Sequence, residues 1–157
     1  MKYLTTTLFA LLIINFVTAQ VPASVSVGAA GPYPEMTDGF SITLAGVDEG
    51  FVEDSWRQFI SSYDGTTGQI LKNDGGSEMK SIGVLFPPLE YERVDILGVV
   101  RSIPSYEDNP VVLLTIWIHR ADNSLLVPVF DEEVTQKSKD WLFSFDSQLD
   151  RNSFSKD

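Results

Sequence analysis

The chain has 157 residues, with 22 acidic side chains against 11 basic ones, a single histidine and no cysteine. Its net charge of −11 argues against nucleic acid as a partner, because that binding depends on neutralising phosphates with basic side chains. The same charge opposes attraction to anionic lipid, and the missing cysteine removes disulfides, thiolate catalysis, Cys-ligated zinc and a lipid-attachment cysteine together.

Residues 1–19, MKYLTTTLFALLIINFVTA, read as a cleaved export signal. Lys2 supplies the positive start, Leu8 to Val17 the apolar centre, and Val17-Thr18-Ala19 the small-residue ending. The apolar run is short of the roughly 20 residues a membrane helix needs. The chain is therefore expected to be periplasmic or secreted after cleavage near Ala19, and not an integral membrane protein. Without disulfides the rest must be held by its core alone.

From Gln20 to Asp38 the composition is Pro-, Gly-, Ala- and Ser-rich, the mark of a flexible lead. Within it Ser24-Val25-Ser26-Val27 alternates as a short edge strand would, and Pro32 and Pro34 end it. FSITL, Phe40 to Leu44, alternates with one buried side. DEGFVEDSWRQFISSYDG then predicts an amphipathic helix. Asp48 is its N-cap, and Val52, Trp56, Phe59, Ile60 and Tyr63 share one face. Glu49, Glu53 and Asp54 suit the helix dipole, and Glu53 can pair with Arg57. Asp64-Gly65 is expected to close the helix, with the glycine in the left-handed position.

Strand signals follow. GQILK and EMKSIGVLF flank the turn Asn73-Asp74-Gly75-Gly76, and Pro87-Pro88 stops the second of them. KNDGGSE superficially resembles a calcium loop but lacks its alternating acidic spacing and distal glutamate, so a hairpin is expected and no metal. VDILGVVRS puts Val94, Ile96 and Val100 on one face. VVLLTIWIHR is apolar on both faces, which predicts a central or doubly covered strand. LLVPVF is a short apolar run that Pro128 weakens. Val134, Trp141, Leu142, Phe145 and Leu149 then predict a second helix over about 131–149, before a frayed tail, 151–157. The order β-α-β-β-β-β-α over residues 39–150 predicts a single α+β domain, an antiparallel sheet with both amphipathic helices on one face.

Chemistry-bearing motifs are sparse. The sequence contains no nucleophile elbow, Walker loop, dinucleotide fingerprint or paired-histidine metal motif, so no catalytic residue, cofactor or metal is assigned. The acidic clusters at 48–54 and 131–133 both fall at helix starts, where capping and dipole effects account for them. The residues left free are Tyr106, Glu107, Asp108 and Asn109 in a polar loop, and the lone His119 at a strand end. They form the candidate binding group.

The blocks VEDSWRQFISSYDG, VDI and LTIW follow the pattern V-E-x-x-W-x-x-[FY]-[LI]-x-x-Y-x-G, Val-Asp-[IV] and Leu-Thr-[IV]-Trp. In this the chain resembles a family of exported Bacteroidetes proteins with no established activity. The resemblance implies compartment and fold, not mechanism. The leading expectation is a non-enzymatic envelope domain working through protein contacts. The alternatives are a small-ligand or cation-binding module using the 106–109 loop with His119, and, third, a hydrolase.

Overall fold

FSITL becomes the middle of a strand, and the helix after it carries the chain across the whole sheet. The computed structural model describes residues 24–29, 38–73, 75–104, 109–126 and 131–149. The expected signal segment, most of the lead, Tyr106 to Asp108, Asp74, the 127–130 run with Pro128, and the tail lie outside the described residues. The elements are β1 (Val25–Ala29), β2 (Gly39–Ala45), α1 (Glu49–Ser61), β3 (Thr66–Asn73), β4 (Gly76–Phe86), a 3₁₀ turn (Pro87–Leu89), β5 (Glu92–Ile103), β6 (Val111–Arg120) and α2 (Glu132–Gln148).

The six strands form one antiparallel sheet in the order β1-β2-β6-β5-β4-β3. The α+β architecture is as expected, with β1 added at the front: the alternating valines of the lead do form an edge strand. β2 and β3 are consecutive in sequence but four strand spacings apart, roughly 19 Å at ~4.8 Å each. The 13 residues of α1 span about 20 Å, so the helix is just long enough to bridge that gap. The chain then returns as the meander β3-β4-β5-β6, and β6 closes against β2. β6 is thus interior to the sheet, as its two apolar faces require.

Both helices pack on one sheet face, α1 toward β3–β5 and α2 toward β1, β2 and the 3₁₀ turn. Asp48 caps α1 by accepting from the Phe51 N–H at 2.8 Å, and Asp131 caps α2 through the Val134 N–H at 3.0 Å. Between the layers lie Phe40, Ile42, Leu44, Met79, Ile96, Leu114, Ile116 and Ile118, all essentially solvent-free. Trp56, Phe59, Trp141 and Phe145 join the two helices, with ring centroids 5.0–5.9 Å apart. Such separations favour tilted and edge-on aromatic contacts. The ring-bearing face of α1 is therefore core: Trp56 has no exposed surface. The opposite sheet face carries a smaller apolar group, Leu97 and Trp117 with Val99 and Leu125. There the Trp117 indole lies across Gly39, where a Cβ would stand 2.7 Å from the ring.

One detail at the end of α1 differs from expectation. The left-handed residue is Asp64, with φ +60°, not Gly65. The N–H of Asp64 bonds to the Ser61 carbonyl and that of Gly65 to the Ile60 carbonyl, at 3.2 and 3.1 Å, which is the Schellman pattern. Gly65 is required for another reason. A Cβ there would sit 2.5 Å from Ile60 Cγ2 and 2.8 Å from Val84 Cγ2.

Candidate functional site

Of the binding group expected from sequence, Asn109 and His119 are among the described residues, and Tyr106, Glu107 and Asp108 are not. Asn109 precedes β6 and His119 is its penultimate residue, so ten positions at ~3.4 Å each place them roughly 30 Å apart. His119 is half-buried. It pairs across the sheet with Asp95 on β5 and bridges to Leu125. Asp95 is already committed. One carboxylate oxygen accepts from the Gly83 N–H at 3.1 Å, and the other meets the Lys80 ammonium at 3.3 Å. Asp95 thereby holds the bulge between Ser81 and Val84. Among the described residues no three His, Cys, Asp or Glu side chains converge as metal ligands.

Two clefts open on the helix side. One, of about 340 Å³, runs between α1 and α2 under a rim of Asp54, Ser55, Gln58, Ser62 and Gln148. Its floor includes Phe59 and Phe145, which are 3% and 1% exposed and packed on each other. They offer no free ring face for a ligand. The other, about 350 Å³, lies at the sheet corner beside the start of α2. Four of its five charged side chains are paired, and Glu90 is the fifth. Arg120 makes two bonds to Glu92, at 2.7 and 3.3 Å, and Lys137 meets Glu133 at 2.6 Å. Those hydrogen bonds hold both cations above their ordinary pKa, which keeps them charged and stops either acting as a base. On the turn after β6, hydrogen bonds from Ser124 hold the Asp122 carboxyl below the usual carboxylate range.

The third feature is the edge strand β3. It ends the sheet, and no strand covers its outer side among the described residues. Ile70 and Leu71 on β3, and Ile82 on neighbouring β4, are 50%, 46% and 50% exposed. They are three of the five large hydrophobic side chains this exposed among the described residues. The sequence TTGQILKN contains no acidic residue, in a chain with 22 of them.

The strand is fastened from beneath by polar contacts. Thr67 and Ser81 share a hydrogen bond of 2.8 Å, Ser81 accepts from Trp56 Nε1 at 3.2 Å, and Gln69 donates to Ser77 at 3.3 Å. Glu53 turns inward from α1 and meets the Lys72 ammonium at 3.1 Å and Arg57 at 3.7 Å. The sequence carried a signal for this surface. Adjacent Ile70 and Leu71 break the period-two alternation, and Ile82 falls an odd three positions after Met79. Both irregularities are bulges, between Gln69 and Leu71 and between Ser81 and Val84, and bulges turn side chains out of the regular pleat.

The blocks that carry the family resemblance have structural duties here. Val52, Trp56 and Ile60 are buried, Asp95 holds the bulge, and Thr115 bonds Ser41 at 2.8 Å. Comparison with family models, curated proteins and solved structures gives no match to the chain.

Proposed function

We propose that this is a non-enzymatic domain, exported to the periplasm or secreted, that works through protein contacts made at the β3 edge. The observation that carries the reading is an acid-free edge strand with half-exposed Ile70, Leu71 and Ile82 beside it. An uncovered edge presents unpaired backbone N–H and C=O groups that an extended partner segment can complete. Exposed aliphatic side chains on and beside the edge add apolar area to such a contact. Export is supported by the leading segment, with Lys2, its apolar centre and the Val17-Thr18-Ala19 ending. Family resemblance supports the same compartment. The small-ligand reading has less support, because Asn109 and His119 lie at opposite ends of β6.

A photo-crosslinking residue placed at Ile70, in cells that make the protein, tests the proposal. Phe143, 44% exposed on α2, is the control position. A discrete protein adduct from position 70 and none from 143 is the expected result. No adduct at 70, or adducts only from 143, refutes a β3 contact surface.

A further inference from the structure

We propose that the partner of the β3 edge is a second copy of this chain, paired antiparallel, β3 to β3, about a two-fold axis through the middle of the strand. This rests on the reading of β3 as the contact edge and names what completes it.

Charge is the first argument. Two copies of a chain with net charge −11 repel over most of their surface, and any face that meets its own copy must avoid opposing like charges. Thr66–Asn73 carries one lysine and no acid. With the axis between Gln69 and Ile70, Lys72 falls opposite the second copy's Thr67, Leu71 opposite its Gly68, and Ile70 opposite its Gln69. No like charges meet, and the four aliphatic side chains, two from each copy, gather at the centre.

The second argument is the state of the strand's own lysine. An edge lysine usually discourages pairing by standing out from the strand. Here the Lys72 side chain is still 56% exposed, but its ammonium lies 3.1 Å from the buried carboxylate of Glu53, so its charge is paired within the subunit.

Symmetry is the third. The opposite edge, β1, is shorter, and Val25 and Val27 already pack against the core. Joining β1 to β3 head-to-tail would propagate into an open polymer, whereas β3 to β3 closes after two copies.

The test is sedimentation of the purified protein over a wide concentration range at two ionic strengths. A reversible dimer is expected, and it should tighten by about a hundredfold as salt rises from ~0.01 to ~0.1 M. That is the order of repulsion lost when the Debye length falls from ~30 to ~10 Å between two such charged bodies a domain diameter apart. An attraction between opposite charges would weaken instead.

Ile70→Lys places two lysines near the axis and should return the protein to monomer, with a melting curve matching that of the wild type at concentrations where the wild type is itself monomeric. Phe143→Lys should leave the dimer intact. Amide exchange at β3 should be slow in the dimer and fast in the Ile70→Lys monomer.

A monomer at every salt concentration, a dimer indifferent to Ile70→Lys, or open-ended polymers would each overturn two-fold pairing. A monomer that still gives position-70 adducts with a different protein would sink the second copy while sparing the β3 contact surface. The absence of any adduct would remove both.

Discussion

Gly65 and Asp64 make a paired test of how α1 ends, because their substitutions should move stability in opposite directions. In Gly65→Ala the new methyl would lie 2.5 Å from Ile60 Cγ2 and 2.8 Å from Val84 Cγ2. Comfortable carbon contacts are about 3.5–4.0 Å, so each neighbour must retreat by about 1 Å. Neither can do so cheaply. Both are fully buried, and β-branched side chains have few alternative rotamers. Overpacking of this kind costs about 1–3 kcal/mol, partly offset by ~0.5 kcal/mol from a stiffer unfolded chain. With a urea slope of about 2 kcal/mol/M, the midpoint should fall by roughly 0.5–1 M. In Asp64→Gly, relief of the left-handed backbone at φ +60° exceeds the added flexibility of the unfolded state, giving a gain of about 0.5 kcal/mol. The exposed Asp64–Arg93 contact, 3.9 Å long, contributes little. Urea melts followed by tryptophan fluorescence read both. If Asp64→Gly destabilised as much as Gly65→Ala, the assignment of left-handed residue and packing residue would be wrong.

The remaining expected outcomes concern separate parts of the molecule. Ser81→Ala removes the acceptor of the buried Trp56 indole N–H and should cost about 1–3 kcal/mol in the same assay. Glu90→Gly, at a second left-handed site with φ +52°, should raise stability by about 0.5 kcal/mol, visible as a higher urea midpoint. Because Trp56, Trp117 and Trp141 are all at most 6% exposed, native fluorescence should resist acrylamide quenching and become quenchable only on unfolding. The depressed Asp122 carboxyl has a defined sign: its contribution is present above the ordinary carboxylate pKa and is lost as pH falls through the lower folded value. Ser124→Ala should move that NMR midpoint back up toward the ordinary range.

What could be read from residues alone depended on how local its cause was. Asp48, Val52, Trp56 and Phe59 define α1 through spacing and capping, and the doubly apolar β6 announces an interior strand. Pairing of β2 with β6 was not legible, because neither strand's pattern names its neighbour. The inward turn of Glu53 depends on Lys72, 19 positions later, so a helix-dipole reading of that carboxylate was reasonable but incomplete. Gly65 had a familiar local explanation, and only the placement of Val84 from β4 exposes the real constraint. Of the binding group, Asn109 and His119 fall at the two ends of β6, and the strand's own length separates them.

The closure of β2 onto β6 has a consequence for when the domain can form. Ser41 and Thr115 meet although they are 74 positions apart in the chain, so β2 has no neighbour on that side until nearly all of the sheet has been made. Separations of that length slow the search for the native state, since the entropy of closing so large a loop is lost before the contact repays it. In a polypeptide growing from its N-terminus the local β3–β4 and β4–β5 pairs can form early, while β2 must wait for β6. The proposed export, with the chain still unfolded, is compatible with that delay.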